Sequence, residues 1–110
     1  MSPPQIELLW WEGCPSWTRT LGDLRIAVAA AGLDPDRIVV REIDDDVHAE
    51  AERFVGSPTI RVDGEDILPP GEGEALGLTC RIYHLRDGRV SPTPDPADLR
   101  DALARVAARA

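Results

Sequence analysis

Lysine and asparagine are absent from the sequence, so all 12 basic residues are arginines. This composition is typical of a GC-rich bacterial genome. The formal net charge is -8 at pH 7, and a mostly acidic surface repels both nucleic-acid phosphates and anionic lipid. We therefore expect neither nucleic acid nor a membrane among the partners.

Long hydrophobic runs are also missing. No window approaches the roughly 18 consecutive apolar residues that a membrane-spanning helix needs. The first residues, MSPPQIELL, lack the basic region and apolar stretch of an export signal, which favours a cytoplasmic protein. The chain has only two cysteines, Cys14 and Cys80, and in a reducing compartment cysteines are more often catalytic or metal-binding than cross-links.

What the sequence does contain predicts one α/β domain over residues 1–110. Residues 5–11 form a nearly continuous apolar run, the pattern of a central strand. Apolar residues recur at helical spacing from Trp17 to the glycine at position 32. Residues 38–43 are rich in β-branched side chains and predict a second buried strand. Strand, helix and strand make a right-handed βαβ unit with parallel strands.

The second half of the chain predicts a short helix, a hairpin and a final helix. The short helix covers about residues 46–54, with Val47, Ala51 and Phe54 on its inner side. Asp63-Gly64 predicts a type I′ hairpin that sets Ile60 opposite Ile67. Residues 69–77 read as a turn-rich loop, residues 78–90 are ambiguous, and the final helix starts at Pro96 with Asp95 as N-cap.

Two short motifs lie within this pattern of strands and helices. Gly13-Cys14-Pro15 follows the first strand, and Ser57-Pro58-Thr59 precedes the hairpin. With the order βαβαββα, they make the chain resemble the thioredoxin-like superfamily, which implies a four-stranded mixed sheet flanked by helices. Cys80-Arg81-Ile82-Tyr83 is similar to a motif in a group of small bacterial thioredoxin-like proteins. That group is sometimes loosely labelled alkylmercury lyase, although the catalytic motifs of such lyases are not found in this sequence.

Cys14 is the candidate catalytic nucleophile. The pattern places it at the N-cap of the first helix with Pro15 at the first helical position, where free N–H groups and the helix dipole lower the pKa of a thiol. Gly13 is expected to leave the sulfur accessible, and Trp11 and Trp17 to form an apolar rim for a substrate. Pro15 is expected to contact the same substrate. The alternative is that Cys14 is a small buried hydrophobic residue.

The resemblance also implies a substrate-docking role for Ser57, Pro58 and Thr59. In thioredoxin-like proteins the corresponding proline is cis and its loop faces the nucleophile, so the backbone of Ser57 is expected to pair with an incoming substrate. The chain departs from the family in two places. Trp17 stands where a second cysteine would complete a Cys-x-x-Cys motif, and Leu8 stands where thioredoxins carry a buried aspartate.

Cys80 is the remaining candidate for a resolving thiol. Either the loop before it brings Cys80 within disulfide range of Cys14, or Cys80 packs under the final helix and is inert. No resident metal is expected, because His48 is far in sequence from the other ligand types and Cys80-x-x-x-His84 is the only close pair. We expect no cofactor apart from a low-molecular-weight thiol as co-substrate.

Three functions remain open at this point. The first is a thiol-disulfide oxidoreductase with a protein or small-molecule substrate, in which Cys14 attacks and Cys80 or an external thiol resolves the mixed disulfide. The second is a non-catalytic binding or adaptor module, or a protein that holds copper or mercury between the two cysteines. The third is a structural domain that forms a homodimer through an exposed sheet edge or aromatic patch.

Overall fold

The computed structural model of the chain describes residues 3–69 and 76–109. It contains helices and strands in the following order: β1 (Ile6–Trp10), α1 (Trp17–Ala30), β2 (Val39–Glu42), α2 (Asp46–Ala51), β3 (Thr59–Val62), β4 (Glu65–Asp66), β5 (Tyr83–His84), β6 (Val90–Ser91) and α3 (Pro96–Arg109). A 3-10 turn at Pro35–Arg37 precedes β2.

The main sheet has four strands in the order β2-β1-β3-β4. β1 runs parallel to β2 and antiparallel to β3, and β3 pairs with β4 as an antiparallel hairpin. The parallel pair is joined through α1, as the predicted strand-helix-strand order requires. The predicted α/β class, with a four-stranded mixed sheet and helices around it, is confirmed.

Helices cover both faces of this sheet. Alternation along β1 sends Ile6 and Leu8 to one face and Leu9 to the other. The first face packs against the apolar sides of α1 and α3, through residues such as Leu24 and Leu103. The second face forms a smaller cluster around α2: Leu9, Ile43, Ala49 and Phe54.

Local turn chemistry fixes the hairpin and the start of α3 as the sequence predicts. Asp63 and Gly64 have φ values of 51° and 85°, as a type I′ turn requires. The amide of Ile67 donates to the carbonyl of Ile60 at 3.1 Å, which confirms the predicted register. The carboxylate of Asp95 accepts from the amide of Ala97 at 2.9 Å and caps the helix.

Two predictions about burial are wrong. β2 is an edge strand with one neighbour, so Val39 and Val40 are 40% and 41% exposed. α2 ends at Ala51, and its buried residue is Ala49, whereas Val47 is 78% exposed and Ala51 is also exposed. Phe54 follows the helix and is buried, as predicted. The register of this short helix follows from its N-cap, where Asp45 accepts from the amide of His48 at 2.7 Å.

The segment between β4 and α3 contains a separate small sheet. β5 pairs with β6 in an antiparallel arrangement, which resolves part of the region that the pattern left ambiguous. The turn-rich loop predicted at residues 69–77, including Gly71-Glu72-Gly73, lies mostly outside the described residues. Among those described, no helix is both long and apolar enough to cross a membrane.

Candidate functional site

The two motifs of the sequence meet at one end of the two central strands, β1 and β3. Cys14 follows the end of β1, and Ser57 precedes the start of β3. Because β1 and β3 are antiparallel, with Leu9 opposite Thr59, the end of one strand lies beside the start of the other. The amide of Trp11 donates to the hydroxyl of Ser57 at 3.0 Å, which ties the two loops together.

Cys14 lies in a turn before α1 and not at its N-cap. The amide of Cys14 donates to the carbonyl of Trp11 at 3.0 Å, and a second turn follows before the helix begins at Trp17 with Ser16 as N-cap. Pro15 is therefore an exposed turn residue outside the helix. The predicted helix start is wrong by two residues, because the chain makes two turns where the pattern suggested one.

The expected accessibility of the Cys14 sulfur is also wrong, since the residue is only 2% exposed. Gly13 has a different role from the one predicted. A Cβ atom at this position would overlap the six-membered ring of Trp11, so the glycine lets the indole fold back over the turn. The lack of a side chain at Gly13 therefore makes room for the Trp11 ring.

Cys80 lies beside Cys14 and is bonded to it. The two residues form a disulfide with a Cα–Cα distance of 5.5 Å, within the usual range. Of the two placements left open by the sequence, the structure has the one in which the loop brings Cys80 to Cys14. In contrast to Cys14, Cys80 is an exposed residue.

Backbone hydrogen bonds hold residues 79–81, called the Cys80 segment below, against Ser57. The amide of Ser57 donates to the carbonyl of Thr79 at 2.8 Å, and the amide of Arg81 donates to the carbonyl of Ser57 at 2.8 Å. Both backbone groups of Ser57 are thus used by the chain itself. An external peptide can pair with Ser57 only by displacing residues 79–81.

Arg81 anchors this segment through its side chain. The side chain is 2% exposed and forms an ion pair with Asp66 at 2.8 Å. Its second terminal nitrogen donates to the carbonyl of Leu68 at 2.6 Å, and its guanidinium carbon lies 4.5 Å from the ring centroid of Tyr83. Burial raises the pKa of the Asp66 carboxyl, although the charge of Arg81 acts in the opposite direction.

The sequence did not predict a role for Arg81, Asp66 or Tyr83. The available signal was the motif Cys80-Arg81-Ile82-Tyr83, which places an arginine next to the second cysteine. Because Asp66 is 15 residues away from Arg81, the sequence did not link the buried charge to its partner.

Gly56 allows the Cys80 segment to lie this close. Its φ is +132°, and a Cβ atom there would come within 2.7 Å of Cγ and 3.1 Å of the amide nitrogen of Arg81. Both the backbone conformation and the close approach therefore require glycine.

The proposed docking residues are buried beneath this segment. The Ser57–Pro58 bond is cis, as the resemblance implied. The carbonyl of Pro58 accepts from the hydroxyl of Tyr83. Thr59 is 1% exposed, and its hydroxyl donates to the carbonyl of Gly56 at 2.6 Å.

The two tryptophans of the predicted rim pack on opposite faces of the sheet. Trp17 stacks on Trp10 with a centroid distance of 4.3 Å and lies against the cluster formed with α1 and α3. Trp11 packs against the cluster around α2. The aromatic pair in the structure is thus Trp10 with Trp17.

Two polar groups of the protein lie next to the Cys14 sulfur. Its Sγ atom lies 3.5 Å from the carbonyl oxygen of Ser57 and 3.6 Å from the hydroxyl of Ser16. When the disulfide is reduced, the Ser57 carbonyl can accept from a Cys14 thiol and the Ser16 hydroxyl can donate to a thiolate. The site can therefore accommodate either form of this cysteine.

No group of three or more histidine, cysteine, aspartate or glutamate side chains is placed to hold a metal ion within residues 3–69 and 76–109. His84 lies in β5 and His48 in α2. The hydroxyl and carbonyl groups near the disulfide are used in hydrogen bonds within the protein. The two sulfur atoms are thus the chemically distinctive groups of this site.

The chain was compared with protein-family models, curated proteins and solved structures, and none of them matched it.

Proposed function

We propose that this protein is a thioredoxin-like thiol-disulfide exchange protein whose redox pair is Cys14 and Cys80. Two observations support the thioredoxin-like assignment. The sheet is mixed, and the Cys14 and Ser57 loops meet at one end of its central strands. The proposed partner is a thiol or disulfide on a protein or a small molecule, and the proposed compartment is the cytoplasm.

One observation carries this proposal: the position of Cys80 is fixed by contacts other than the bond between the sulfurs. Ser57 holds the flanking residues Thr79 and Arg81 through two backbone hydrogen bonds. The buried ion pair of Arg81 with Asp66 holds the same segment from the side chain. Reduction therefore leaves the two thiols as neighbours, and closing the bond again orders little additional chain.

The proposed reaction exchanges one disulfide for another. A thiolate of the reduced pair attacks a substrate disulfide, forms a mixed disulfide and releases the first substrate thiolate. The second protein thiolate attacks the mixed disulfide and releases the other substrate thiolate. The substrate gains two electrons and becomes two thiols, while the protein loses two electrons and forms the Cys14–Cys80 bond. A dithiol or two thiols reverse the cycle.

The test is turnover of bis(2-hydroxyethyl) disulfide with dithiothreitol as the reductant. The wild-type protein is expected to accelerate the exchange above the uncatalysed rate. The matched control is the Cys14→Ser/Cys80→Ser double variant, which keeps the size of both side chains. A wild-type rate equal to that of the double variant contradicts the proposal.

A second candidate function is the binding of a soft metal ion by the reduced pair. The observation that favours it is the same 5.5 Å Cα–Cα distance, which lets two thiolates approach one ion such as copper(I). Titration of the reduced protein with copper(I) against a chromogenic chelator tests this function. Competition no stronger than that of the double serine variant contradicts it.

A further inference from the structure

We infer that Cys80, and not Cys14, is the cysteine that exchanges with the substrate. This inference rests on the proposed exchange function and assigns the order of its two steps. It reverses the roles that the sequence suggested, in which Cys14 attacks and Cys80 resolves.

The first argument is exposure. Cys14 is 2% exposed, whereas Cys80 is exposed on the surface. A substrate sulfur must come into contact with the sulfur that it attacks or that attacks it. Among these two residues, only Cys80 offers that contact without a local opening of the fold.

The second argument is the set of contacts around the attacked sulfur. In thiol-disulfide exchange the incoming sulfur must reach the sulfur that it attacks, so access decides which of the two exchanges. The Cys14 sulfur has the Ser57 carbonyl oxygen at 3.5 Å and the Ser16 hydroxyl at 3.6 Å. These protein groups take up space next to Cys14 that an incoming sulfur would need, whereas Cys80 is an exposed residue.

The order of steps follows from this geometry. In the oxidised protein an external thiolate bonds to Cys80, the Cys14–Cys80 bond breaks, and Cys14 leaves as a thiolate that the Ser16 hydroxyl can stabilise. A second external thiolate then attacks the Cys80 mixed disulfide and releases the reduced pair. In the opposite direction Cys80 attacks a substrate disulfide, and Cys14 resolves the mixed disulfide as a neighbouring, shielded thiolate.

The test compares the single variants Cys14→Ser and Cys80→Ser with 5,5′-dithiobis(2-nitrobenzoate) as the probe disulfide. In the folded state the remaining Cys80 of C14S is expected to react at a rate similar to the first step of the reduced wild-type protein. The remaining Cys14 of C80S is expected to react at least about tenfold more slowly, because a buried thiol reacts only in fluctuations that expose it. In concentrated urea the two variants should react at the same rate.

A second measurement does not depend on either variant folding. Oxidised wild-type protein is treated with excess glutathione, the reaction is stopped by acid, and the adduct is located by peptide mapping. We expect the adduct on Cys80. An adduct on Cys14, or a folded C80S that reacts as fast as folded C14S, overturns the inference.

Both measurements follow single covalent events, so they are separate from the turnover assay. Turnover with the adduct on Cys14 overturns the order of steps and leaves the exchange function in place. Absence of turnover removes the function on which the order rests.

Discussion

Ser57 and Cys80 form an isolated parallel bridge between the loop before β3 and the segment before β5. Through this bridge the chain itself uses the backbone groups of Ser57 that the sequence predicted to pair with a substrate. The segment that carries Cys80 is thus hydrogen-bonded to the Ser57 loop, which lies next to Cys14.

The first prediction concerns Gly56. Gly56→Ala is expected to lower the free energy of unfolding by about 2 kcal/mol, because an L side chain is strained at this φ and its Cβ would press on the backbone of Arg81. Urea unfolding of the oxidised protein measures the change.

Gly22 provides the matched control for this substitution. It lies in α1, with no other atom near the position of an added Cβ, so Gly22→Ala should raise the free energy of unfolding by about 0.5–1 kcal/mol. An equal effect of the two substitutions would show that Gly56 does not support the Cys80 segment.

The second prediction concerns the buried charge of Arg81. Asp66→Asn keeps the shape of the side chain but removes the counterion of a guanidinium that is 2% exposed. Loss of one partner of a buried pair is expected to cost about 3 kcal/mol. Urea unfolding again provides the measurement, because urea does not screen charges.

The control for this pair is Asp36→Asn. Asp36 binds Arg25 at the surface, with the two side chains 82% and 48% exposed, and removing such a pair should cost less than about 1 kcal/mol. If Asp66→Asn costs no more than the surface control, Arg81 is not the anchor of the segment.

Sequence reasoning works best where neighbours in the chain determine the structure. The Asp63-Gly64 turn and the Asp95-Pro96 helix start are set by their own residues. The apolar run of β1 was also sufficient to identify a central strand. These features required no knowledge of the rest of the fold.

The errors arise where distant parts of the chain decide. The exposure of Val39 and Val40 depends on the strand order, which leaves β2 at the edge of the sheet. Cys14 is buried next to Ser57, whose carbonyl oxygen lies 3.5 Å from its sulfur, and it is bonded to Cys80, so its surroundings come from residues that are 43 and 66 positions away in the chain. The route of the chain to Cys80 depends on Arg81 and its partner in β4, and residue spacing carries no information about such a path.

The third prediction is a pH dependence at the N-cap of α3. Hydrogen bonds from the amides of Arg86 and Ala97 lower the pKa of the Asp95 carboxyl below its ordinary value. Because the pKa is lower in the folded state, the ionised carboxylate stabilises the protein above the unfolded-state pKa. That stabilisation is lost as the pH falls below about 4 and passes through the folded-state pKa.

Asp95→Asn is the variant that tests this pH dependence. Asparagine caps helices as well as aspartate does, but it does not titrate. Thermal unfolding from pH 6 to pH 2.5 should show a smaller acid-induced loss of stability for Asp95→Asn than for the wild type. Asp95→Ala should be less stable than Asp95→Asn across the whole range. Parallel curves for the wild type and Asp95→Asn would contradict the assignment.

The fourth prediction concerns the reduced protein and tests the central claim most directly. The measurement is an NMR titration in glutathione redox buffers, with hydrogen exchange of the Ser57 and Arg81 amides recorded at both ends. We predict two folded spectra that interconvert reversibly, with both amides protected in the reduced form because Thr79 and Ser57 still accept their hydrogen bonds. A reduced form that loses this protection together with its spectral dispersion would contradict the account, since the disulfide would then be holding the segment in place.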